Sequence, residues 1–158
     1  MLRATVIALT MVGALATPAF ANGLKAEQVV EVATVLVGET GNEVRTYALA
    51  EEVAPGDEVR YSLAYANEGA VSVEAVSLVM PVPAEVTYIE TSAGGTPSTI
   101  TYSVDGGTNF AARDSLVVTG EDGARLASAD EITHIKWAFT EPIPAAATGR
   151  ISFRAVLK

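Results

Sequence analysis

Residues 57–67 read DEVRYSLAYAN, and their alternation decides the fold. Val59, Tyr61, Leu63 and Tyr65 fall on one side of an extended chain, with Glu58, Arg60, Ser62 and Ala64 on the other. One face is apolar and one is wet, at the period of two that a half-buried strand requires. Two further stretches repeat the pattern. Ile135, Trp137 and Phe139 alternate with His134, Lys136 and Ala138, while Ile151, Phe153, Ala155 and Leu157 alternate with Ser152, Arg154 and Lys158. Segments 27–37, 44–49, 71–79, 86–90, 100–104 and 116–119 are rich in Val, Thr, Ile and Tyr, which fit a pleated surface, and are expected to be strands as well. Between the segments lie Pro55-Gly56-Asp57, Asn67-Glu68-Gly69, Pro81-Val82-Pro83, Gly94-Gly95, Asp105-Gly106-Gly107, Asp122-Gly123 and Pro142-Ile143-Pro144. These are turn signals, because Gly supplies positive φ, Pro fixes φ, and Asn or Asp bonds back to the local backbone. About seven to nine short strands at this spacing predict an all-β, antiparallel two-sheet sandwich. Only residues 121–131, rich in Ala and Asp, leave room for a short helix. Trp137, flanked by apolar residues two positions either side, is expected to anchor the core between the sheets.

Composition removes whole classes of function. The chain has 158 residues, no cysteine, one histidine, 10 Lys+Arg against 19 Asp+Glu, and a net charge of −9. Without cysteine there are no disulfides, Cys-based zinc sites, iron–sulfur clusters or thiol nucleophiles. The acidic balance opposes phosphate backbones, so no nucleic-acid partner is expected. Residues 1–21 carry Arg3 and no acid, then an apolar run, then Pro18 and the small-x-small end Ala19-Phe20-Ala21. This is the pattern of a secretory signal peptide cut after Ala21. Its apolar run is about 11 residues, where a membrane span needs roughly 20. Cleavage removes one cation and no acid, taking the charge from −9 to −10 over residues 22–158. No second stretch of spanning length follows, so the expected product is an exported domain, periplasmic or extracellular, with no membrane span after cleavage.

At residues 54–69, APGDEVRYSLAYANEG, the chain resembles the conserved repeat domain family, also described as domain of unknown function number eleven. That family runs Pro-Gly-Asp, an alternating strand ending in Asn, and a Gly-containing turn. MPVPAEVTYIE at 80–90 is similar to its strand leading into a Pro-x-x-hydrophobic-Thr segment. YSVDGGTNF at 102–110, THIKWAF at 133–139 and GRISFRAVLK at 149–158 resemble single-domain exported bacterial members. The resemblance covers 53–158 and departs at Val79-Met80, where the family carries an acid. It implies an immunoglobulin-like fold at the cell envelope, no enzymatic activity and no catalytic residues. Residues 22–46 then form an N-terminal strand region ahead of a 53–158 core within one domain, 22–158.

The residues themselves offer little chemistry. His134 lies on the wet face of its strand, no Gly-x-Ser-x-Gly elbow exists, and no serine is marked out as its partner. One histidine and no cysteine make a poor zinc site. Asp105 with Gly106-Gly107, and Glu121-Asp122-Gly123, read first as hairpin turns and only second as calcium loops. Glu51-Glu52 and Asp57-Glu58 are adjacent on extended chain, so their side chains point to opposite faces and form no acid/base pair. No cofactor and no catalytic, cofactor-binding or metal residue is assigned.

What remains is interaction. Val29, Val30, Val32, Val35, Leu36 and Val37 form a run that is apolar at both parities, so the strand needs cover on both faces. It either packs as the first strand of the sandwich or pairs with a neighbouring subunit, as in strand donation. The expected function is a non-enzymatic structural or interaction module of the envelope that engages a protein partner or assembles with itself. The alternative is a carbohydrate- or peptide-binding module using the loops 92–99 and 140–148.

Overall fold

A computed structural model describes residues 23–37, 41–120 and 123–158, and the expected signal peptide lies outside them. The strands in order are β1 (Leu24–Val37), β2 (Glu43–Leu49), β3 (Glu58–Asn67), β4 (Ser77–Pro81), β5 (Val86–Tyr88), β6 (Gly94–Gly95), β7 (Ser98–Ser103), β8 (Val117–Gly120), β9 (Gly123–Leu126), β10 (His134–Phe139) and β11 (Thr148–Leu157). The chain is an all-β antiparallel sandwich. One sheet runs β2-β1-β3-β11-β5, with the two-residue β6 also on β11, and the other runs β4-β10-β7. β8 and β9 form a separate hairpin.

Alternation in the sequence becomes burial in the structure where two sheets face each other. On β3, Val59, Tyr61, Leu63 and Tyr65 are all buried; on β11, Ile151, Phe153 and Ala155 are fully so. Ile135 and Trp137 of β10 and Leu78 and Met80 of β4 close over them from the smaller sheet. Tyr61 and Phe153, opposite each other on β3 and β11, stack at 5.1 Å. Tyr65–Phe139 and Tyr88–Tyr102, at 5.2 and 5.6 Å, tie one sheet to the other. Such pairs add about 0.5–1.5 kcal/mol beyond the area they bury. The Trp137 indole N–H is buried with no acceptor among the described residues, so the packing of its rings offsets the cost of an unmade hydrogen bond.

The turn into β3 forms as the sequence indicates, whereas Gly94-Gly95, expected in a turn, pairs with β11 as β6. Gly56 takes φ +95°, and the Asp57 carboxylate accepts from the Ala54 N–H at 2.8 Å, closing the turn into β3. Gly95 takes φ +123°, and a Cβ there would overlap the Arg150 carbonyl, so only glycine lets β6 lie against β11.

One expected strand is corrected, and the one segment left open for a short helix holds only a 3-10 turn in place of one. Residues 121–131 hold no α-helix where described: Gly123–Leu126 is β9 and Ala129–Glu131 a 3-10 turn. The Ser128/Glu131 capping box satisfies the start of that turn, which goes no further because the chain becomes extended at Ile132 and enters β10. The expected strand over 71–79 begins only at Ser77. Ahead of it Val73 makes an isolated bridge to Ile143, because Ala75 at φ +53° breaks the extended chain.

Candidate interaction surface

β1 is paired on both sides, but not along the same residues. Leu24–Val32 runs antiparallel to Asn67–Val59 of β3, and Glu31–Val37 to Leu49–Glu43 of β2. Past Val32, β1 has no β3 neighbour, so β1 and β2 continue as a two-stranded arm beyond the sheet. The register places Val32/Ala48, Thr34/Thr46 and Leu36/Val44 on the core-side face, and Ala33/Tyr47, Val35/Arg45 and Val37/Glu43 on the other. The smaller sheet, with three strands, does not reach this far. Leu36 is 58% exposed, Val37 67%, Val44 55% and Leu49 70%. Of the residues expected to form an assembly strand, Val29, Val30 and Val32 are half-buried within the sheet, while Val35, Leu36 and Val37 are exposed on the arm.

A lattice of charged and polar side chains on the outer face of the larger sheet holds the base of the arm. Arg60 bonds Glu31 at 2.8 Å and lies 3.8 Å over the Tyr47 ring. Arg150 approaches Glu31 at 3.9 Å. The Tyr47 hydroxyl donates to Glu58 at 3.0 Å, Arg154 donates to the same carboxylate at 2.9 Å, and Arg45 stands 3.5 Å from it. Burial pushes the Glu58 carboxyl up, yet the hydrogen bonds from Arg154 and Tyr47 and the nearby guanidinium charges outweigh it and hold the group below its ordinary range. Burial, reinforced by the bond to Glu58, pushes the Tyr47 phenol up. The lattice joins β1, β2, β3 and β11 through their wet faces, and covers Ser62 completely. Its members could be picked out as wet-face residues of alternating strands; which arginine meets which glutamate depends on register between strands far apart in sequence.

The other candidates resolve into structural roles. Asp105 spends both carboxylate oxygens on its own loop, accepting from the Ser103 hydroxyl, the Thr108 and Asn109 N–H groups and the Asn109 amide. Those bonds, the Asn109 N–H first, hold its pKa well below the usual carboxylate range. No group of three or more potential metal ligands occurs among the described residues. His134 is half-buried, its ring against Gly107 and its Nδ1 3.2 Å from the Thr133 hydroxyl. Trp137 is fully buried at the centre of β10.

The loops 92–99 and 140–148 are tied down. Ser92 bonds Arg154 and Ile89, Thr140 bonds Pro97, and the segment around Ile143 is clamped by Asn67. The buried Asn67 amide donates to the carbonyls of Val71, Ile143 and Pro144 and accepts from the Gly69 N–H. This explains why an alternating strand ends on asparagine: one side chain, its two amide hydrogens shared among three carbonyls, ties backbone groups of two loops together. The aromatic rings at this end, buried Tyr65 and half-buried Phe139, pack on each other and form no exposed platform. Nor does either sheet lack an internal strand among the described residues, since β2-β1-β3-β11-β5 and β4-β10-β7 are continuous.

Fold and surface together define an all-β antiparallel sandwich that carries a charge-braced, apolar-tipped arm. No family model, curated protein or solved structure matches the chain.

Proposed function

We propose that this chain is an exported, non-enzymatic structural or interaction module of the bacterial envelope, immunoglobulin-like in build and kin to the conserved repeat domains, which associates with copies of itself through the β1–β2 arm. One observation carries the reading. Large apolar side chains stand exposed on both faces of a two-stranded ribbon, on a chain whose acidic surface otherwise keeps it in solution. Isolated two-stranded ribbons are marginal in water, so an arm of this kind gains stability when a second surface covers it. The absence of an internal gap favours association of arms and edges over donation of a strand into a neighbour. The rigid lattice at the base supports this too, because a fixed arm loses little conformational freedom on association.

The test is a light-scattering mass measurement on residues 22–158 across a dilution series, imaged in parallel for filaments. A mass that rises with concentration above one chain, and falls back when Leu36 and Val44 are both changed to Ser, supports the reading. A single-chain mass at every concentration overturns it.

A further inference from the structure

Among the described residues, β2 is the longest sheet edge left without a neighbour; Ala33–Val37 of β1 is open past the end of β3 but runs only five residues. β7 exchanges backbone bonds at 2.8 and 3.0 Å with Ala111 through Tyr102. β4 has five residues and ends on Pro81, β5 has three, and β8 and β9 have four each. β2 runs seven residues, with no proline, lysine or glycine to blunt it. Its free groups can be identified. The Ala50 N–H bonds the Val30 carbonyl at 3.1 Å, so positions whose numbers sum to 80 lie opposite, and the even-numbered pairs 32/48, 34/46 and 36/44 exchange hydrogen bonds. The N–H and C=O groups of Glu43, Arg45, Tyr47 and Leu49 therefore point away from β1, at the open edge.

We propose, building on the self-association reading above, that the partner of β2 is β2 of a second copy, antiparallel, with Thr46 on the two-fold axis. In this register all seven residues pair. Each outward-pointing residue meets another, Glu43 with Leu49 and Arg45 with Tyr47 of the other copy, so every free backbone group of the edge finds a partner. Thr46 faces Thr46 and Val44 faces Ala48 on the core-side face, where Leu36 stands beside Val44. Arg45 is brought over the Tyr47 ring of the other copy and towards the Glu58 carboxylate to which that phenol is bonded. Charge permits the same place. The molecule carries −9 overall, but Arg45, Arg60, Arg150 and Arg154 gather at the arm's base against Glu31, Glu43 and Glu58, so the charge of the lattice beside this edge is close to balanced. The interface is isologous and closes, which gives a dimer and not a filament.

A chain without cysteine makes the register directly readable. Thr46 sits at a non-hydrogen-bonded pair across the axis, where Cα atoms approach to about 4.5–5.5 Å and a disulfide is allowed. Under mild oxidation Thr46→Cys gives about tenfold more linked dimer than Glu141→Cys, an exposed control far along the chain. Val44→Cys and Ala48→Cys link when mixed, and neither links alone. Arg45→Pro, which removes an N–H aimed at the open edge, abolishes concentration-dependent mass while the thermal melt shows the sandwich still folded. Efficient linkage of Val44→Cys to itself, or of Val37→Cys in place of Thr46→Cys, overturns this register. A dimer by light scattering that none of the β2 cysteines captures overturns the edge assignment and leaves self-association standing. A monomer at every concentration removes both.

Discussion

β11 and the outer half of β1 are built from the same kind of residue and end in opposite environments. β11 alternates Ile151, Phe153 and Ala155, none of them solvent-accessible, with half-buried Ser152 and Arg154. β1 reaches Val35, Leu36 and Val37 and leaves all three exposed. Hydrophobicity does not distinguish them. β11 lies between β3 and β5 and beneath β10, whereas the end of β1 has a single neighbour and no facing sheet. An apolar strand is buried by the sheet that lies over it, and where that sheet stops, the same composition becomes a surface.

Mutations can break this contrast, starting from its strongest side. Trp137→Ala should destabilise the sandwich by about 4 kcal/mol, since a fully enclosed indole leaves a cavity that its neighbours cannot fill. Leu36→Ala on the arm should cost under about 0.5 kcal/mol in the same urea titration. Similar losses for the two would mean that the arm is covered within one chain. Asn67→Ala should follow at about 2–3 kcal/mol, because the Val71 carbonyl and the Gly69 N–H lose their partner while the Ile143 and Pro144 carbonyls keep only their bonds from Val73 and Ala147; a loss under about 1 kcal/mol would show that water replaces the amide.

Glu58→Gln should cost about 1.5 kcal/mol by weakening the bonds from Arg154 and Tyr47. It should also speed limited proteolysis near residues 43–49 more than elsewhere, and uniform cleavage would argue against a bracing role. Acid should act in the same direction. Glu58 lies below its ordinary range for the reasons given above, and hydrogen bonds from Arg125 and Ser128 lower Glu131 to about 2. Both bind protons more readily when unfolded, so their contribution is present above the ordinary carboxylate pKa of about 4.3 and is lost as pH falls towards 2. Melting temperature should therefore drop across that window, and a flat profile would contradict the assignment. Smallest of all, Leu36→Ser with Val44→Ser should move the unfolding midpoint by less than about 0.5 kcal/mol while removing association. If stability falls with association intact, the arm serves the fold and not the contact.

The class of fold was legible in local pattern. Period-two runs at β3, β10 and β11 and Gly, Pro and Asp turns between them specify strands, since those signals arise within a few residues of chain and the side-chain period admits one buried face. The same pattern also marked out residues 29–37 as apolar on both faces, and Trp137 as a residue for the interior. Which half of β1 is covered, and that β2 lies at an open edge, follow from packing between distant segments. Only that packing brought Glu31, Tyr47, Glu58, Arg60 and Arg154 into one lattice, and closed Asp105 and Asn67 on their own loops. Those outcomes depend on pairings between residues as far apart as Glu58 and Arg154, and on where a second sheet ends. Neither is fixed by local pattern, because register and overlap are properties of the packed whole.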